Sequence, residues 1–318
     1  MVEGIGNCGS GAGTVEKTNL EIILKSPITL QLSYRPPYQW QQMLNFLALR
    51  AIPGVESAVD GEYLRTVTLA TRGKRPVRGW VRVGFLQQRN VLSVSCSPAL
   101  LPVLTPLLAR IRHLFDLHCE PYAVYEALAS MNTIRPGLCI LGTRLPGCFD
   151  PFEMAVRAVL GQQITVKAAR TLAARLVDAY GTPFDTGVDH LTRIFPSPEA
   201  IMALDGPIEN RLGPLGITGV RARTILKLAE AVVRREVDLR FGARPETEIK
   251  KLMAIPGIGP WTAQYIAMRA LGWSDAFPHT DFGVTKALEP RTPKEILALA
   301  ETWRPWRSYA TVNLWNSH

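Results

Sequence analysis

The stretch IPGIGPWTA, Ile255 to Ala263, packs two glycines and two prolines into five residues and follows them with a tryptophan. It divides EIKKLMAIPGIGPWTAQYIAMRALG (248–272), which carries apolar helical spacing on both sides of Pro256-Gly257-Ile258-Gly259-Pro260. The segment therefore predicts a helix, a tight hairpin and a second helix. Glycines allow the positive φ of such a turn and remove the Cβ atoms that would keep a ligand off the backbone. Amides at the start of the second helix then face outward, where free N–H groups and the helix dipole favour an anion such as phosphate. Pro260 suits the first helical position but has no N–H, which leaves Gly259, Trp261 and Thr262 as donors. Taken alone, the pattern serves equally well as a plain connector.

The residues beyond the hairpin narrow the choice. The second helix ends near Leu271-Gly272, a loop runs through Asp275-Ala-Phe-Pro-His-Thr280, and Asp281-Phe-Gly-Val-Thr-Lys-Ala-Leu288 opens another helix with Asp281 at its N-cap. Upstream, helical spacing recurs at 102–117, 122–130, 151–160, 166–180, 198–204, 220–235 and 245–254, and downstream at 293–303. The N-terminal third differs. Residues 20–34, 64–71, 78–86 and 91–96 alternate apolar and polar side chains and read as strands. Between the first two lies QWQQMLNFLALRA (39–51), apolar at Trp40, Met43, Leu44, Leu47 and Ala48 in helical spacing. The expected fold is α+β: a tail over 1–19, a small antiparallel sheet with a packed helix over 20–97, and a mainly helical region over 98–318.

Composition sets wider bounds. The 318 residues are 47% hydrophobic and 20% charged, enough for a large core and about two domains. No apolar run approaches the roughly 18 to 20 residues of a membrane span, so no membrane partner is expected. The first residues (MVEGIGNCGSGAGTVEK) lack a signal-peptide pattern and read as flexible. Cys8, Cys96, Cys119, Cys139 and Cys148 are odd in number and contain no C-x-x-C pair, which points to reduced thiols in a cytoplasm. The net charge of +9 favours a polyanionic partner. Residues 1–133 hold 13 basic and 9 acidic side chains and residues 134–318 hold 23 and 18, so a folded surface must make that contact.

A Gly/Pro-rich helix-hairpin-helix followed about 20 residues later by an aspartate at a helix start resembles the helix-hairpin-helix DNA glycosylase superfamily, and within it the AlkA type. The resemblance runs through YRPPYQWQQMLNFLALRAIPGVE (34–56), LFDLHCEP (114–121), RLPGCFDPFEMAVRAVLGQQIT (144–165), IPGIGPWTAQYIAMRALGW (255–273) and ETWRPWRSYATVNLW (301–315). It implies removal of alkylated bases such as 3-methyladenine from double-stranded DNA by a cytoplasmic monomer that needs no cofactor.

The family's catalytic aspartate falls on Asp281. An N-cap carboxylate accepts backbone N–H bonds that favour its charged form, and that charge can steady an oxocarbenium-like sugar or orient the attacking water. Trp261 stands where relatives with lyase activity carry a nucleophilic lysine, so strand cleavage is not expected. Trp261 and Tyr265 are four apart on one helix face, and Trp315 matches a further pocket aromatic. Such rings attract a positively charged alkylated purine by about 0.5 to 2 kcal/mol each. A cationic base leaves readily, so a general acid is not required, and the resemblance gives His279 no role. His279 and Thr280 themselves depart from the family pattern.

Gln163 of LGQQIT matches the side chain that fills the gap left by an extruded base, where a relative carries leucine. Phosphate contacts fall to the hairpin amides around Gly257 and Gly259 and to nearby basic or hydroxyl groups such as Thr262. No metal is required, although the carbonyls of Met253, Ile255 and Ile258 match positions that hold a monovalent cation. Two other readings stand beside this one. A lyase or iron–sulfur relative would want a lysine at position 261 and four clustered cysteines. A non-catalytic helix-hairpin-helix DNA-binding protein would have no use for Asp281 and the aromatic set.

Overall fold

The computed structural model describes Met1, residues 26–71 and residues 74–317. The tail reading, apart from Met1, and the strand start at 20–25 lie outside the described residues, as does Cys8. Five strands form one antiparallel sheet: β1 (Ile28–Ser33), β2 (Glu56–Val59), β3 (Glu62–Thr71), β4 (Lys74–Leu86) and β5 (Val91–Cys96), in the order β1-β5-β4-β3-β2. Strand β2 has no counterpart in the alternation pattern. It is four residues long and joins β3 through Asp60-Gly61, both at positive φ, a short hairpin turn with too little chain for alternation to show.

Helix α1 (Trp40–Arg50) buries Trp40, Met43, Leu44, Phe46 and Leu47 against Val67, Val81, Val83, Leu92 and Val94 of the sheet. Next come α2 (Leu104–Leu114), α3 (Pro121–Leu128), α4 (Met131–Ile134), α5 (Pro151–Leu160), α6 (Val166–Tyr180), α7 (Pro198–Met202), α8 (Ile208–Leu212) and α9 (Gly219–Val233). The last five are α10 (Pro245–Met253), α11 (Pro260–Ile266), α12 (Phe282–Ala287), α13 (Pro293–Ala300) and α14 (Arg307–Trp315). The expected helix at 260–271 is in fact α11 followed by a π-turn, Ala267–Leu271. Helix α14 carries no periodic signal because Arg307 through Leu314 are all buried, so no polar stripe marks one face.

Three apolar clusters make up the interior. One lies between the sheet, α1 and α2. A second joins α5, α6, α9, α10 and α11. The third joins residues 119–145 to the π-turn, α12, α13 and α14. Helix α11 and its π-turn lie between the second and third clusters, with α1 across from them, and the candidate site opens where these elements meet.

Candidate active site

The α10–α11 hairpin is fixed from both sides. Gly257 has φ +90°, and a Cβ there would lie 2.0 Å from Thr224 Oγ1 on α9. That hydroxyl donates to the Pro256 carbonyl (2.8 Å), while Gln162 Nε2 donates to the Gly257 carbonyl (2.8 Å) and to Thr262 Oγ1 (2.9 Å). Gly259 is different: its φ is −90° and nothing lies within 4 Å of its missing Cβ. It needs no positive φ, and the space beside it is open. Thr262 corrects the sequence reading, because it is 2% exposed and its hydroxyl receives Gln162. The hydroxyl is therefore not free to meet a phosphate.

The two indoles and the aspartate meet. Asp281 caps α12, its Oδ1 accepting from the amides of Gly283 (2.9 Å) and Val284 (3.3 Å). Trp315 Nε1 donates to the same oxygen at 2.8 Å, and Trp261 Nε1 donates to Oδ2 at 3.0 Å. Gly283 makes the first indole contact possible, since a Cβ there would sit 2.7 Å from Trp315 Cδ1. A carboxylate offers about four acceptor positions. Three donors on Oδ1 and one on Oδ2 hold the group rigidly and leave Oδ2 the oxygen with room for another partner.

Aromatic rings continue from this point along a cleft of about 430 Å³. Trp261 stacks on Tyr265 (5.3 Å between centroids, 6° between planes), Tyr265 meets Trp315 at 6.0 Å, and Trp315 stacks on Phe46 of α1 at 5.9 Å. Phe282, 77% exposed, stands at the cleft's lip. The cleft is also lined by basic residues, Arg50, Arg157, Arg170 and Arg269. Arg269 Nη1 donates to the Tyr265 hydroxyl (2.9 Å). Burial would raise the Tyr265 phenol, but the guanidiniums of Arg269, Arg50 and Arg157 bring it below its ordinary value. Aromatic rings thus line one side of the cleft only. Asp281 is the sole carboxylate among the described lining residues.

A family model described as the AlkA N-terminal domain matches residues 29–150, and one described as HhH-GPD superfamily base excision DNA repair protein matches residues 156–302. Across 284 residues the chain is 37% identical to DNA-3-methyladenine glycosylase 2 of Escherichia coli, covering 89% of this chain and 95% of that one. The chain belongs to the AlkA-type family of HhH-GPD base excision DNA repair proteins. A Mycobacterium tuberculosis relative, named as a probable bifunctional transcriptional activator/DNA repair enzyme AlkA, is 36% identical over 91% of this chain and 57% of its own length. Among solved structures, 3-methyladenine DNA glycosylase from Archaeoglobus fulgidus shares the fold, with a TM-score of 0.70 at 21% identity over 90% of this chain and 97% of that one.

In this AlkA-type chain the cleft is a joint product of both matched regions. Arg50 comes from the N-terminal model, as does Phe46, which stacks against Trp315; Trp261, Tyr265 and Asp281 come from the HhH-GPD model, and Trp315 from beyond it. Gln163 stands apart from the cleft lining, on the turn between α5 and α6. It is exposed, has φ +53° and makes no hydrogen bond among the described residues. A non-glycine residue held there without a local bond is a strained position that the fold itself does not use. His279 lies outside the cleft lining, beside Gln264 and Arg307 in a separate cavity, where burial lowers its imidazole.

The hairpin gives a direct test of the AlkA-type reading. Gly257→Ala forces a left-handed φ and a collision with Thr224, and is expected to destabilise the fold by about 1–3 kcal/mol. Gly259→Ala meets nothing in the fold, so its urea midpoint should match the wild type while its affinity for duplex DNA falls about tenfold through obstructed phosphate contact. Unchanged DNA affinity in Gly259→Ala would take the hairpin backbone out of the interface.

Proposed function

We infer that this chain is a monofunctional DNA glycosylase that extrudes alkylated bases such as 3-methyladenine from double-stranded DNA and hydrolyses the base–sugar bond, leaving an abasic site. The observation that carries it is the Asp281 carboxylate, fixed by two indoles and two amides at the mouth of an aromatic cleft large enough for a purine. As the C1′–N bond lengthens, positive charge grows on the sugar. A carboxylate about 4 Å away steadies it by roughly 4 kcal/mol at an effective dielectric constant of 20. Oδ2, with one donor, orients the water that adds to C1′. Neither indole can form a Schiff base, so cleavage stops at hydrolysis.

DNA is held by the hairpin amides of Gly257, Gly259, Trp261 and Thr262, with Gln163 filling the space the base leaves. The strained φ and unbonded side chain of Gln163 suit a group that gains its partner in the complex. The carbonyls of Met253, Ile255 and Ile258 are the places for a monovalent cation. Ile255's carbonyl already accepts Ile258 N–H at 3.0 Å, which leaves it one lone pair for that use. The enzyme acts as a monomer in the cytoplasm.

Incubation with methylated duplex DNA is expected to release free 3-methyladenine and to leave strands intact until base or heat is applied. Release of no base, with DNA binding retained, would favour the non-catalytic helix-hairpin-helix reading. Nicking at neutral pH without further treatment would contradict the assignment of Trp261.

A further inference from the structure

The basic wall of the cleft is not explained by a cationic substrate, because guanidiniums repel one. Arg157 is neutralised in a buried quartet with Arg65, Glu56 and Glu153. Arg50, Arg170 and Arg269 have no carboxylate within 4 Å among the described residues, and Arg170 donates through Nε to the Ala51 carbonyl at 2.7 Å. Arg269 is engaged through all three of its nitrogens, donating to the carbonyls of Pro146 and Gly147 and to the Tyr265 hydroxyl. Arg50 is not. Its guanidinium lies 3.7 Å over the Phe46 ring and one nitrogen donates to the Phe46 carbonyl at 3.2 Å. A guanidinium has five N–H donors. Those left over have no acceptor among the described residues, and the residue lines the cleft.

Resting on the glycosylase reading, we propose that Arg50 is the specificity-determining residue for bases that are uncharged before cleavage: its free N–H donors steady the negative charge such a base acquires as it leaves. The surrounding charges agree with an anion-seeking site. Burial and the nearby guanidiniums of Arg269 and Arg157 lower Arg50 itself, while the same cations draw Tyr265 down.

Charge accounting shows where the effect must appear. When the C1′–N bond of an uncharged base breaks, the electron pair stays on nitrogen, the base goes from 0 to −1 and the sugar from 0 to +1. For an alkylated, cationic base the ring goes from +1 to 0 and the sugar again to +1. In both cases water adds its oxygen to C1′ and gives up one proton, which balances the base anion in the first case and passes to solvent in the second. The ratio kcat/KM compares free DNA with the transition state. Arg50 then faces a developing anion in the first case and a nearly neutral ring in the second. It raises kcat/KM for the uncharged base only. For the cationic base it repels the bound ground state, which raises kcat and KM together.

The experiment uses the full chain, Arg50→Met and Arg50→Lys, with duplexes carrying one hypoxanthine or one 7-methylguanine, followed by base release over a range of DNA concentrations. Loss of one directed donor to a developing anion lowers rates by about 100-fold. That is the expected fall in kcat/KM of Arg50→Met on hypoxanthine, with Arg50→Lys retaining most of the activity. On 7-methylguanine, kcat/KM should stay within about threefold, with kcat and KM both reduced. Equal losses on the two lesions in both variants, or no loss on hypoxanthine, would overturn the proposal. So would a wild type that releases 7-methylguanine but no hypoxanthine. Release of neither base by the wild type would instead remove the glycosylase reading itself.

Discussion

Asp281→Asn is expected to release 3-methyladenine about a thousandfold more slowly than the wild type while still binding an abasic-site duplex. The magnitude comes from the lost charge. About 4 kcal/mol of attraction between a carboxylate and a cationic sugar corresponds to nearly three decades in rate. The amide is close to isosteric, and its oxygen can keep the cap bonds that Oδ1 now makes to Gly283 and Val284 and the bond to Trp315 Nε1. Its nitrogen, however, must face the Trp261 indole N–H, which in the wild type donates to Oδ2. Two donors then oppose each other, and Trp261 loses the contact that fixes its ring against Tyr265. Loss of that one partly buried contact should cost about 1 kcal/mol, so the variant still folds, with a slightly lower urea midpoint. Single-turnover base release and duplex affinity, measured on one preparation, separate the two effects. Equal release by wild type and variant would remove Asp281 from the chemistry, and a parallel collapse of affinity would make it a binding residue.

How much of this site is visible in the chain depends on how local each contact is. Trp261 and Tyr265 share a face because they are four apart, and Asp281 caps α12 because a carboxylate before a helix finds free amides, so short-range rules reach all three. The two-part α+β architecture is equally accessible, since alternation in β3, β4 and β5 and helical spacing in α5, α6, α9, α10 and α11 are strong. Phe46 and Arg50 belong to the other kind. Their stretch carries a core stripe at Trp40, Met43, Leu44 and Leu47, and nothing local says that the flank of α1 meets Trp315 near the far end of the chain. The inward turn of Thr262 is hidden for the same reason. The partner that draws it inward, Gln162, lies a hundred residues away, and hydroxyl chemistry alone favours the surface. The short strand β2 and the buried helix α14 lack the length or the polar face that periodicity needs.

The second large effect lies beneath the cleft, in the quartet that joins the sheet to α5. Arg65 Nη2 meets Glu153 Oε2 at 2.7 Å, and Arg157 Nη1 meets Glu56 Oε2 at 2.7 Å and Glu153 Oε1 at 2.9 Å. Tyr63 and the Ile52 amide also donate to Glu56. Two cations and two anions cancel, and Arg157 further donates to the Arg50 carbonyl, so the quartet supports the cleft wall as well as the interior. Removing one charge leaves another buried and unpaired. Glu153→Leu is therefore expected to cost about 3–5 kcal/mol, seen as a lower urea midpoint. The double variant Glu153→Leu with Arg65→Met removes one anion and one cation, keeps the Glu56–Arg157 pair and should recover most of that loss. Recovery of less than a third would show that the quartet acts through shape instead of charge balance. Acid adds an independent check. Burial pushes the Glu56 carboxyl up, but Arg157, Arg65, Tyr63 and Ile52 N–H bring it down to about 2. A depressed carboxyl stabilises the fold above its unfolded value near 4.5, and the contribution, about 3 kcal/mol, is lost as pH falls toward 2. The gap in stability between wild type and Glu56→Gln should accordingly be widest above pH 5 and narrow steadily below it. A gap that holds constant from pH 6 to pH 3 would mean that Glu56 is not held as an anion by its two arginines.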